Sequence, residues 1–166
     1  PLVNRFEKVI IVPHEVNDYY LNYYCSVLED NDFSFKKINQ YQNFNQFEEE
    51  YIIINKVGFL SKLYAQSTIA YVGGGFSKSG IHNIIEPAAA SNPVIFGSNF
   101  LNSNKSDAEG LIEVSGGFSI DSYELFTEKI NWLLDKNNYN NSSKNCKTFV
   151  TENSGSTEKI LKELYE

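Results

Sequence analysis

At 166 residues the chain is long enough for one domain that buries roughly two-thirds of its unfolded surface. Its hydrophobic content of 42% and aromatic content of 14% exclude a disordered polymer. A balance of 14 basic against 21 acidic residues, net −7 with no basic cluster, excludes general nucleic-acid binding through phosphate contacts.

Phe6 to Val12 is a β-branched apolar run closed by Pro13, which predicts a buried first strand with His14 and Glu15 at its carboxyl end. Asn17 or Asp18 then caps a helix to about Glu29, with Tyr20, Leu21, Tyr24, Val27 and Leu28 as its apolar face. The spacing predicts a strand over 33–38, a polar surface connection over 39–50, a buried strand over 51–55 and a short helix over 58–66. Ile69 to Val72 reads as a strand, Glu86 to Ser91 as the start of an Ala-rich helix broken at Asn92-Pro93, and 94–97 as the next strand. Beyond a polar loop, 107–115 is a helix, 117–120 a strand, and Ser122 caps a helix to about Asp135. The Asn-rich stretch 137–145 is expected to interrupt, with helices over 146–152 and 156–165. Strands that are continuous apolar runs alternating with helices define an α/β class: a Rossmann-like parallel sheet flanked by helices, in a single domain over 1–166.

Cys25 and Cys146 lie far apart without CxxC spacing, which predicts reduced thiols. Only His14 and His82 could join them, so no metal site and no metal cofactor are expected. The chain begins at Pro1 and contains no Met, which predicts a piece of a longer protein. No apolar run approaches the roughly 20 residues of a membrane span.

The stretch Ile69-Ala-Tyr-Val-Gly-Gly-Gly-Phe-Ser-Lys-Ser-Gly-Ile-His-Asn-Ile-Ile-Glu-Pro87 concentrates the chemistry. Strand, glycine turn and helix N-terminus is a layout that holds phosphate-bearing ligands. The triplet Gly73-Gly74-Gly75 departs from G-x-G-x-x-G, so a dinucleotide cofactor is not supported. Pro87 is tolerated only in a first helical turn, which places the helix start beside the loop and groups His82, Asn83 and Glu86 at its mouth. Asn83 and Glu86 also fit a capping box, which requires no ligand. A carboxylate beside a phosphate site is equally suited to ribose hydroxyls. Ser77 and Ser79 are potential phosphate donors, Lys78 and Lys105 loop cations, and His14 sits at the sheet edge where α/β proteins bind ligands. No Ser-His-Asp or Cys-His spacing points to a nucleophile.

Tyr71-Val-Gly-Gly-Gly-Phe76 followed by Gly80-Ile-His-Asn-Ile-Ile-Glu-Pro-Ala88 resembles the signature of 3-deoxy-D-manno-octulosonic acid (Kdo) transferases. Val12-Pro-His-Glu15, Gly58-Phe-Leu-Ser-Lys-Leu-Tyr64 and Pro93-Val-Ile-Phe-Gly97 agree with it, over roughly residues 8 to 120. The resemblance implies the C-terminal, donor-binding half of a two-domain GT-B glycosyltransferase that moves Kdo from CMP-Kdo to lipid A precursor in lipopolysaccharide biosynthesis. It implies donor binding by Gly74, Gly75, Ser77, Lys78, His82, Asn83, Glu86 and His14, with Glu86 on ribose and no metal or other cofactor. The catalytic base and the acceptor site would lie in an N-terminal domain outside this chain, as would membrane contact at the cytoplasmic face of the bacterial inner membrane. The fragment alone would then be inactive. Rival readings are a UDP-sugar transferase or epimerase of the same fold, and a Rossmann-like interaction module whose glycines serve only packing.

Overall fold

The computed structural model describes residues 5–101 and 104–155. The chain divides into two compact units, 1–60 and 61–166. The parallel α/β class is as expected, but among the described residues the hydrogen-bonded ladders form two sheets, each three-stranded.

The first unit holds β1 (Val9–Ile11), α1 (Asp18–Glu29), β2 (Phe35–Ile38) and β3 (Tyr51–Ile54), in the parallel order β1-β3-β2. Val9 and Phe35 both register on Tyr51, so β3 is central. That position is why Tyr-Ile-Ile-Ile is apolar without alternation: Ile52, Ile53 and Ile54 have no exposed surface. Each such burial is worth about 2–3 kcal/mol. The Asn17 side chain caps α1 by accepting from the Tyr20 N–H at 3.0 Å. Leu21, Cys25 and Leu28, spaced i, i+4 and i+7, pack on Tyr51 and Ile53. Tyr20 and Val27, expected on that face, are exposed instead, because Cys25 takes the place between Leu21 and Leu28. The polar connection 39–50 is not all surface: a 3-10 turn over Phe44–Gln46 buries Phe44.

The second unit holds β4 (Ala70–Val72), α3 (Ile85–Ala89), β5 (Val94–Gly97), α4 (Lys105–Glu113), β6 (Gly117–Ile120), α5 (Tyr123–Leu133) and α6 (Lys136–Asn153). The short helix α2 (Leu60–Tyr64) begins at the boundary. The parallel order is β4-β5-β6, with β5 central and wholly buried. Val72, Val94 and Phe96 of the sheet meet Ile84 and Ala88 at α3, Ala108 and Leu111 of α4 and Cys146 of α6 in one core.

The expected break over 137–145 is absent: α6 runs unbroken from Lys136 to Asn153, and the helix expected over 156–165 lies outside the described residues. Two causes outweigh the poor helix propensity of asparagine. Asp135 caps the start by accepting from the N–H groups of Asn137 and Asn138. Ser142 and Cys146, one turn apart, are buried as the helix packs on α3, α4 and α5.

The Cys146 thiol has no exposed surface and donates to the Gly116 carbonyl at 3.1 Å. Burial pushes its pKa up from an ordinary 9.0 to about 12. A raised pKa on an acid favours the folded state only while the thiol is protonated, so this stabilisation is complete below pH 9 and lost as pH rises toward 12. About 4 kcal/mol is at stake. The urea midpoint of the wild type should therefore fall more steeply between pH 9 and 12 than that of Cys146→Ala. Parallel slopes would contradict the assignment.

Candidate functional site

The three glycines leave β4 and fold back on themselves. Gly74 forms an isolated antiparallel bridge with Ile81, the Gly75 N–H donates to the Gly80 carbonyl at 2.6 Å, and the His82 N–H donates to the Gly73 carbonyl at 3.3 Å. Gly74 and Gly75 carry φ of +91° and +80°, a region that costs other residues roughly 1–2 kcal/mol. Space is tighter still. A Cβ on Gly75 would lie 2.6 Å from the Gly97 carbonyl oxygen, and one on Gly97 would lie 2.5 Å from the Gly74 oxygen. The glycine loop therefore lies directly against the end of β5. Gly75 is buried and its N–H is spent inside the loop, so it shapes the loop and offers no free N–H to a ligand. The tip over 76–79 is exposed.

Ile81 and Ile84 are buried in the core of the second unit. Between these two anchors, His82 and Asn83 have nowhere to go but outward, and both are exposed. Asn83 is a cap, as its pattern suggested: its Oδ1 accepts from the N–H groups of Ile85 and Glu86 at 3.0 and 3.3 Å. The expectation that the helix offers open N–H groups to a ligand changes accordingly, since Asn83 occupies those two. Glu86 stands half-buried in the first turn of α3. The Tyr64 phenol is pushed above its ordinary pKa, chiefly by burial and further by the Glu86 carboxylate. The charge of the Glu86 carboxylate is thus felt at the Tyr64 phenol.

Ser77 and Lys78 occupy the exposed tip, and the Ser77 hydroxyl accepts from the Ser79 N–H at 3.3 Å. Lys105 is the first residue of α4 rather than a loop residue, and pairs with Glu109 at 3.8 Å on the exposed face of that helix. His14 is exposed and belongs to the first unit. Gly74, Gly75, Ser77, Lys78, His82, Asn83 and Glu86 thus share one loop and the helix start that follows it.

Sequence reading missed two side chains bonded to this loop. The Asn99 N–H donates to the Gly75 carbonyl at 2.8 Å and its Nδ2 to the Ser77 carbonyl at 2.6 Å. Asn104 Nδ2 reaches the carbonyls of Ile81 and His82 at 3.3 and 3.2 Å. An asparagine in a polar loop carries no local signal of such a partner, since turns favour it anyway. A depression of about 340 Å³ also opens beside the tip, lined by Tyr71, Phe76, Ile120, Asp121, Tyr123 and Phe126.

No family model matches the chain. Among curated proteins it is 30% identical, over 87% of its length and 22% of theirs, to a bifunctional glycosyltransferase/methyltransferase of Fusobacterium nucleatum subsp. nucleatum. It is 31% identical to the Kdo transferase of Rickettsia bellii over 69% of this chain and 27% of that protein. With a Chlamydia trachomatis Kdo transferase it shares 29% identity over 96% of this chain and 37% of that protein. The chain therefore spans from about a fifth to somewhat over a third of these relatives. Among solved structures it superposes on the C-terminal CMP-Kdo binding domain of WaaA from Acinetobacter baumannii with a TM-score of 0.71 and 15% identity, covering 86% of this chain and 73% of that one. The chain thus has the fold of that domain, parallel sheets flanked by helices. Within that fold, the chain is similar in sequence to Kdo transferases over part of their length.

The packing of the glycine loop makes a direct prediction. Gly75→Ala should cost about 2–4 kcal/mol in urea unfolding, because positive φ and a backbone clash combine there. Gly58→Ala, at φ +93° but with open space around it, should cost about 1 kcal/mol. Equal losses at the two positions would contradict the close approach of Gly75 to Gly97.

Proposed function

We propose that this chain is the donor-binding part of a Kdo transferase, and that it holds CMP-Kdo for transfer to lipid A precursor in lipopolysaccharide biosynthesis. The observation that carries the reading is the glycine loop itself. It is fixed on β5, exposes the tip Ser77-Lys78-Ser79, and presents His82 and Asn83 beside the half-buried Glu86. The names of the relatives and the fold neighbour support it.

In this reading the CMP phosphate lies at the loop tip, where the hydroxyls of Ser77 and Ser79 donate and the Lys78 ammonium offsets negative charge. Lys78 there stands in for an arginine that many members of the resembled family carry near Ser79. Glu86 accepts hydrogen bonds from the ribose hydroxyls, with the Tyr64 phenol close by. His82 orients the loop or touches the donor. An acceptor hydroxyl attacks the anomeric carbon of Kdo. A new C–O bond forms as the bond to the CMP phosphate breaks, and CMP departs with the electron pair. The proton goes to a base expected in an N-terminal domain. Charge growing on the departing phosphate is what this half stabilises, with positioned donors that need no reorganisation. No metal or further cofactor enters the reading. Among the described residues no helix is long and apolar enough to cross a membrane. Contact with the cytoplasmic face of the inner membrane is assigned to the N-terminal part, which meets the lipid acceptor.

Calorimetry tests the donor class. CMP should bind more tightly than UDP, and Glu86→Gln should weaken CMP about tenfold or more, 1.4 kcal/mol, without lowering the melting temperature. Preference for UDP favours a UDP-sugar enzyme of the same fold, and absence of nucleotide binding favours a non-enzymatic module. Residues 1–166 alone should bind CMP without transferring Kdo, and measurable transfer would overturn the assignment of the base to another domain.

A further inference from the structure

Asn104 breaks a local rule. It stands at the N-cap of α4, where an asparagine side chain ordinarily accepts a hydrogen bond from its own helix. Here it makes no such cap, and its backbone takes the left-handed conformation at φ +55°. Asparagine is among the few residues besides glycine that visit that conformation. What the amide does instead is donate across 23 and 22 positions of sequence to the carbonyls of Ile81 and His82. Asn99 does the equivalent on the other limb, with its N–H on the Gly75 carbonyl and its Nδ2 on the Ser77 carbonyl, 22 positions away. The limb entering the loop and the limb leaving it are thus each held by one asparagine from the connection that follows β5.

We infer that Asn99 and Asn104 are positioning residues of the candidate donor site, clamping the glycine loop in its ligand-ready shape. The inference rests on the donor-binding reading. Its physical ground is the composition of the clamped segment. Gly74, Gly75 and Gly80 all have positive φ and bring no side chain of their own to restrict them. An unclamped loop would have to be ordered by the ligand, and ordering one residue costs roughly 1–2 kcal/mol of conformational entropy. The two amides supply that order before the ligand arrives. Neither side chain need touch the donor.

Asn104→Gly is the informative variant, since glycine tolerates the left-handed backbone and removes the amide, and Asn104→Asp beside it controls for the chain freedom glycine adds. Asn99→Ala serves as the variant for the other limb. In the full chain, Asn104→Gly should raise amide hydrogen exchange at Gly75, Gly80 and His82. It should also weaken CMP binding about five- to thirtyfold, measured well below the melting temperature. Faster exchange with unchanged CMP affinity overturns the positioning role and leaves a purely structural contact. Unchanged exchange overturns the clamp itself. Should the wild type bind no CMP, the donor reading and the positioning role both fall, and the exchange data still decide whether the clamp exists. A variant that melts below the assay temperature is replaced by Asn104→Asp, which keeps the shape and loses the donors, and the same outcomes apply.

Discussion

The second unit depends on one backbone contact: Gly74 and Gly75 lying directly on Gly97. No side chain fits between them, since a Cβ on either side would meet main-chain atoms at 2.5 to 2.6 Å. The contact fixes where the loop leaves β4 and forces it to double back, and so places Ile81 where it can enter the core. With Ile81 and Ile84 both buried, the pair between them must face solvent. A glycine contact at the end of a strand thus decides where His82 and Asn83 point, three links further along.

The consequence is a site with divided labour. In the proposed reading buried residues set its position, while exposed and half-buried ones carry its chemistry. Gly75 contributes shape, its N–H already given to Gly80. Asn83 satisfies the start of α3. In the proposed reading the hydroxyls and ammonium of the tip and the carboxylate of Glu86 meet the ligand. That set suits an anionic group next to a polyol, which is what a sugar nucleotide presents.

Much of this was legible in the chain. Central strands announced themselves as unbroken apolar runs, because β3 and β5 are buried on both faces. Ser122 is readable as a cap, and the cap of α1 as Asn17 or Asp18, of which the structure uses Asn17, since capping is a local interaction. The grouping of His82, Asn83 and Glu86 followed from Pro87 alone. What escaped was non-local. Asn99 and Asn104 act on carbonyls more than twenty positions away, and Gly97 looked like the end of a strand until its partner was visible. The asparagine run in α6 misled for a related reason: its helix is held by tertiary burial of Ser142 and Cys146, which propensity does not record.

The central claim is that a cytidine nucleotide binds at the glycine loop and the start of α3. Amide chemical-shift mapping with CMP on the isotope-labelled chain tests it directly. The account predicts perturbations concentrated at residues 76–82 and around Glu86. Perturbations confined to Tyr71, Tyr123 and Phe126 of the neighbouring depression, or none at saturating CMP, would contradict it.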